Sequence, residues 1–317
     1  MFFGCYLSTA TMTRDEDGPP VPELTRRITL SCCHAGPVRA LTPVLTRMPG
    51  NGIPPGDILA GSGYAHRDAG AWALPLRAAG AQLAQDLHPS DRGPQGTVHG
   101  AIITNGSLYC PATPGPLLHL APLGPAATPE DTAAHDQRTA ELARHKPGRL
   151  TADDADGCHR VTCPAVMGKL RCPLRPASTT LDRSRPEILT PPACPPACCT
   201  QQTPTTGPDI AAKTRQKHDC PSPAHRRSCT RRTAAERGFS TIKDPASNTV
   251  TRGWCRLTGL ARPALWLAAL HAVRNQRILT AWNARQADNE RRAAAGLPPR
   301  TRKRRRKTTP TSPAAPP

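Results

Sequence analysis

Aromatic residues make up 3% of this chain, with four Trp, three Tyr and three Phe among 317 residues. Leu, Ile, Val and Phe together number 48, below the share with which globular domains of this length usually fill a core. Much of the chain is therefore expected in loops or without fixed structure. Acids are scarce too: 23 Asp and Glu face 42 Lys and Arg, leaving a net charge of +19. That balance favours a polyanionic partner, nucleic acid first, with cations that merely solubilise the chain as the alternative. No apolar run reaches the length of a membrane span, since 264–273 is short and holds His271. The N-terminus lacks the basic start and full apolar run of a signal peptide. The expected setting is the cytoplasm, with nucleoid association when DNA is bound and no membrane partner. Thirteen cysteines are expected there as reduced thiols, and an odd, scattered set does not compose a disulfide framework.

Prolines number 38, and they help to divide the chain. Residues 1–40 read as a poorly ordered segment with one weak strand, 27–31; the acids Asp15, Glu16 and Asp17 stand next to Pro19-Pro20 in an exposed loop. Residues 41–146 are strand-rich. Within them, 81–87 reads as a strand, and Asn105-Gly106 between 101–104 and 107–110 is a hairpin signal, because both turn positions tolerate positive φ. Trp72 and Leu76 are expected to pack on the sheet that 81–87 and 97–110 suggest. Thr128-Pro129-Glu130-Asp131 starts a helix, with Thr as cap, proline in the first turn and an acid three residues after the cap; it should run to about His145.

Residues 147–222 read as an irregular insertion rich in proline and cysteine. Cys158, Cys163, Cys172, Cys194, Cys198 and Cys199 invite a zinc reading, which His159 could join, with Cys158, Cys163, Cys172, Cys198 and Cys199 as the candidate ligands. Their spacing forms no paired C-x(2)-C arrangement, so unliganded thiols stay open beside it. Residues 223–297 are helical, with a second helix after Pro263 that is apolar at first and polar toward Gly296. Residues 298–317 form a basic tail expected to lack order. Arg300, Arg302, Lys303, Arg304, Arg305, Arg306 and Lys307 make seven of eight positions basic, a composition that contacts phosphates without reading sequence.

The stretch 224–243 carries one carboxylate framed by cations. At 100° per residue, Cys229, Arg232, Glu236 and Lys243 fall within about 60° of arc on one helical face. An i,i+4 pair on a solvated helix is the plain alternative for Arg232 and Glu236. The spacing resembles the Y-x(2)-R-x(3)-E-x(6)-K signature of bacterial insertion-sequence transposases of the Asp-Asp-Glu type, with Cys229 at the tyrosine position. The stretch 56–67 is similar to the strand end where that family places its second aspartate in an Asp-x-Gly-Tyr context; Gly61 stands in its place before Ser62-Gly63-Tyr64. From Ile28 to Gly56 there is no aspartate, so the family's first acid is missing as well.

The resemblance implies an α/β fold, a partial RNase H-like domain, and metal-dependent DNA cleavage and strand transfer. In that reading Glu236 is the catalytic acid and binds Mg, and Arg232, Arg231, Lys243 and the tail residues 302–306 contact DNA. The missing aspartates imply an impaired, truncated or degenerate copy. A non-enzymatic basic DNA-binding protein, zinc-stabilised or not, is the alternative, and a homodimer is left open.

Overall fold

The computed structural model describes residues 5–300 apart from 33, 54–55, 202, 245–249 and 251–256. Its first element lies where the sequence suggested little order. β1 (Cys5–Thr11) and β2 (Thr25–Cys32) pair antiparallel, from Cys5 opposite Cys32 to Thr11 opposite Thr25. A two-stranded ribbon is marginal alone, and its support comes from the far end of the chain. Asn275 hydrogen-bonds both backbone groups of Thr25, at 2.9 Å to its N–H and 2.8 Å to its C=O, a pairing across some 250 positions that local patterning cannot reveal.

The α/β layer follows. α1 (Gly36–Thr46) precedes β3 (Asp57–Ala60), α2 (Ser62–Ala65), α3 (Ala73–Ala78) and β4 (Gln82–Gln85). β3 and β4 run parallel, with Asp57 opposite Gln82 and Ala60 opposite Gln85. α1 and α3 cover them through a core of Val38, Leu41, Ala60, Trp72, Ala73, Leu76, Ala81 and Leu83. Trp72 and Leu76 thus pack on the 81–87 part of the expected sheet, which the structure separates from the hairpin. The Trp72 indole N–H donates to buried Gln85 at 3.0 Å, which satisfies the one polar atom the ring takes into the core.

β5 (Pro94–Val98), β6 (Ala101–Thr104) and β7 (Ser107–Tyr109) form an antiparallel sheet. Asn105 and Gly106 turn the β6–β7 hairpin as the sequence predicts, both at positive φ, 49° and 86°. α4 (Gly115–Leu118) and α5 (Pro129–Arg144) close over it, with Tyr109, Leu117, Leu118 and Leu142 buried between them. Thr128 and Asp131 form the expected reciprocal cap on α5.

Residues 147–222 are mostly turns, with short elements between them: β8 (Gly148–Arg149), β9 (His159–Thr162), α6 (Pro176–Thr179), α7 (Ala197–Thr200) and β10 (Thr205–Thr206). β9 is central to a small sheet ordered β10-β9-β8. Three helices end the described chain: α8 (Pro223–Thr230), α9 (Thr233–Lys243) and α10 (Ala261–Ala294). α10 buries only Leu267, His271 and Arg274, and its later turns stand exposed, as its polar second half requires. The architecture is α/β, with the described strands in four separate small sheets. Among the described residues no helix is long and apolar enough to cross a membrane.

Candidate functional site

Loops that leave the C-terminal ends of parallel strands are where α/β folds build sites, and the residues singled out by the sequence meet at that edge. β3 ends at Ala60 and gives way to Gly61; β4 ends at Gln85 and gives way to Asp86, whose N–H donates to the Ala60 carbonyl at 3.2 Å. Arg232, at the start of α9, faces both. Its Nη2 lies 3.2 Å from Asp86 Oδ2 and its Nη1 lies 2.7 Å from Glu236 Oε1. A Cβ built on Gly61 would stand 3.8 Å from the same Nη1, with nothing else within 4 Å. One guanidinium therefore sits among two carboxylates and the position where a third could be mounted. Asp86 carries the acid that sequence reasoning missed; its only signal was its place at the end of an expected strand.

The single helix anticipated over 224–243 is two. α8 and α9 meet at Arg231-Arg232 through i→i+3 bonds, Arg231 N–H to Ser228 C=O at 3.2 Å and Arg232 N–H to Cys229 C=O at 3.0 Å, a tightened joint of the 3₁₀ kind. Arg232, Glu236 and Lys243 keep a common face because they belong to α9 or its cap. Lys243 is exposed in the last turn. Cys229 is half-buried against His225, Sγ to Nε2 3.4 Å, and burial pushes its thiol up to about 12.

Arg231 does not serve as an open phosphate contact. Its side chain is 5% exposed, and its Nη2 bonds Asp57 Oδ2 at 2.6 Å and Ser228 Oγ at 2.7 Å, with Glu16 Oε1 at 3.4 Å. Lys217 joins the network at 2.8 Å from Asp57. Asp57 thus belongs to a buried ion-pair cluster at the start of β3, at the opposite end of the strand from Gly61. Burial raises the Glu16 carboxyl, but hydrogen bonds from Ser228 and His218 with nearby cations bring it down to about 2.

A second group gathers in the loops at the same edge of the parallel pair. His66, His88 and Asp91 bring ligand-type atoms within 4.8 Å of one another, a set of residue types that can hold a metal ion. Asp91 Oδ2 lies 2.9 Å from His66 Nδ1, while its Oδ1 accepts from Lys213 at 2.7 Å. Burial pushes the Asp91 carboxyl up, and the hydrogen bonds from Lys213 and His66 more than offset it, so its pKa is lowered. Lys213 neutralises this acid, and an incoming ion would compete with that ammonium. No sequence spacing pointed here, because the three residues come together only through the parallel pairing of β3 and β4.

The cysteines regroup. Cys163, Cys172, Cys198 and Cys199 are buried together, and Cys110, which the zinc reading left out, lines the same small cavity as Cys163, Cys198 and Cys199. Cys158 is partly exposed elsewhere, in the turn where its N–H bonds Asp154. Cys110, Cys163 and Cys172 each precede proline, but so do Cys194 and Cys220 outside the group, so the dipeptide does not mark it. Arg302, Lys303, Arg304, Arg305 and Arg306 lie outside the described residues. No family model matches the chain, and neither does any characterised protein or solved structure.

Proposed function

We propose that this chain is a transposase-like DNA-binding protein of the Asp-Asp-Glu type, built on a partial RNase H-like domain, whose strand-cleavage site has lost acids it would need. The observation that carries the reading is the meeting of Gly61, Asp86, Arg232 and Glu236 at the C-terminal edge of β3 and β4. Two-metal phosphoryl transfer needs carboxylates that hold the ions and cations that hold phosphates. Glu236 would ligate one Mg ion, and Arg232 and Lys243 would position DNA phosphates. β1 carries Ser8 and Thr9 at its middle and no carboxylate. Tyr64 of the Gly61–Tyr64 stretch bonds Ser8 Oγ at 3.3 Å, so β1 lies beside the site without supplying an acid to it. Binding would persist through the cationic face and the basic tail.

The test is cleavage and strand transfer on duplex DNA with magnesium or manganese, comparing wild type with Glu236→Ala. Neither protein should cut, and both should bind DNA alike. Cutting by the wild type that Glu236→Ala abolishes would show an intact site and sink the impaired reading.

A further inference from the structure

Cys110, Cys163 and Cys172 each open a turn. Each is followed by proline, which cannot donate a hydrogen bond and fixes its own φ. The chain then folds back on the cysteine carbonyl: Thr113 N–H to Cys110 C=O at 3.0 Å, Met167 N–H to Cys163 C=O at 3.2 Å, and Arg175 N–H to Cys172 C=O at 2.9 Å. Burial raises the Cys110 and Cys172 thiols, and the backbone amides of Ala112 and Leu174, just after the prolines, offset part of that rise. A fourth segment brings Cys198 and Cys199, whose sulfurs lie 3.9 Å apart.

All five thiols are buried, between 5% and 9% exposed. Cys110, Cys163, Cys198 and Cys199 line a cavity of about 10 Å³, together with proline and aliphatic side chains and with His99, Thr162 and Thr206, room for about one water-sized occupant; Cys172 packs beside Cys163 in the adjoining apolar cluster. Cysteines serving only as small apolar core residues need no amide aimed at their sulfur. Nor would they converge from three separate segments on one cavity, with Cys172 of a fourth segment packed beside Cys163. Amide donors to sulfur are the outer-shell contacts that orient and stabilise thiolate ligands. Arg175 supplies positive charge near Cys199, as a dianionic tetrathiolate centre would require.

We propose that Cys110, Cys163, Cys172 and Cys199 are the ligands of a structural zinc site that ties residues 147–206 to the β5–β6–β7 sheet, with Cys198 as a neighbouring thiol. The site is independent of the DNA reading. It also accounts for order in a segment with little regular structure, since a closed four-ligand zinc site contributes folding energy outright. In the structure no three of the sulfurs lie within 4.8 Å of one another. Metal loading draws the turns inward toward the spacing of about 3.8 Å that zinc–sulfur bonds of about 2.3 Å impose in a tetrahedron.

The test uses the full chain, purified without chelator and assayed for zinc, then exchanged with cobalt(II) as a spectroscopic probe. The proposal predicts about one zinc per chain. With cobalt it predicts the sulfur-to-cobalt charge-transfer bands and strong visible absorption of a tetrahedral tetrathiolate. Cys172→Ser should lose the metal or shift those bands, whereas Cys158→Ser and His88→Ala should leave both unchanged. If Cys172→Ser fails to fold, the cobalt spectrum of the wild type still decides. A zinc-free chain without cobalt–sulfur bands overturns the site, as does zinc that His88→Ala removes and Cys172→Ser retains.

Discussion

Arg232 reaches from the cap of α9 to Asp86 at the end of β4, 3.2 Å away, while its other nitrogen holds Glu236 at 2.7 Å. The neighbouring Arg231 points the other way, into the molecule, onto Asp57. Two adjacent arginines that look equivalent in the sequence therefore have opposite duties, one at the candidate site and one in the fold.

Their substitutions should differ accordingly. Arg231→Ala removes one partner of a buried ion pair and should cost about 3 kcal/mol, the lower end of the usual range because Lys217 still holds Asp57. Arg232→Ala breaks partly exposed pairs and should cost less than about 1 kcal/mol. Urea denaturation of both variants checks this. Equal losses would contradict the assignment of Arg231 to the interior.

Gly61 has extended backbone, φ −80° and ψ 168°, which any residue can adopt. Gly61→Asp should be tolerated and should raise stability by about 0.5 to 1 kcal/mol, from reduced freedom of the unfolded chain and a new pair with Arg232. A loss above about 1 kcal/mol in the same denaturation experiment would mean that the space beside Arg232 is closed to a carboxylate.

Gly106 is the reverse case. Its φ is +86°, and a Cβ there would collide with the backbone carbonyl of Thr214. Gly106→Ala should cost about 2 kcal/mol or more. Gly63→Ala has open space and an ordinary helical backbone, so it should be neutral or stabilising by about 0.5 kcal/mol. Thermal unfolding of the pair checks the close approach of 211–217 to the hairpin.

Acidification should weaken the fold before the carboxylates titrate. Burial first, then Arg274, lowers the His271 imidazole from 6.5 to about 4, and burial lowers His145 and His225 in the same direction. A base whose folded pKa is depressed is protonated preferentially in the unfolded chain. Stability therefore rises with pH through the window from about 4 to 6.5, by up to about 1.4 kcal/mol per pH unit from His271 alone. His271→Gln should flatten the dependence between pH 7 and pH 5. An unchanged slope would show that His271 is not held neutral.

What the sequence made legible was local. The Thr128 cap, the Asn105-Gly106 hairpin and the long helix after Pro263 are written in propensity and short-range chemistry, and they form where expected. The Arg232–Glu236 pair was legible for the same reason, since it needs only four residues of helix. What stayed hidden depends on pairing across distance. Asn275 fixes Thr25 at the start of β2. Asp86 reaches the site through the parallel register of β3 and β4. His66, His88 and Asp91 meet through two loops that the same register aligns. Arg231 was misread because charge density along a helix does not show which side faces inward, and Asp57, its partner, lies 174 positions away. Cys110 was missed because it lies outside 147–222, where the zinc reading was confined, and joins the other thiols only through the fold.

The central claim, a cationic protein that grips DNA without cutting it, is tested most directly by titrating duplex binding against salt. Fluorescence anisotropy with a labelled duplex, from low to moderate potassium chloride, should give a log–log slope near about −5, as expected for about six neutralised phosphates. A chain shortened to remove 300–317 should bind more weakly, with a slope near about −2, and the duplex should remain uncut throughout in magnesium. Failure of the full chain to bind at about 50 mM salt, or a slope that the shortening leaves unchanged, would contradict the account.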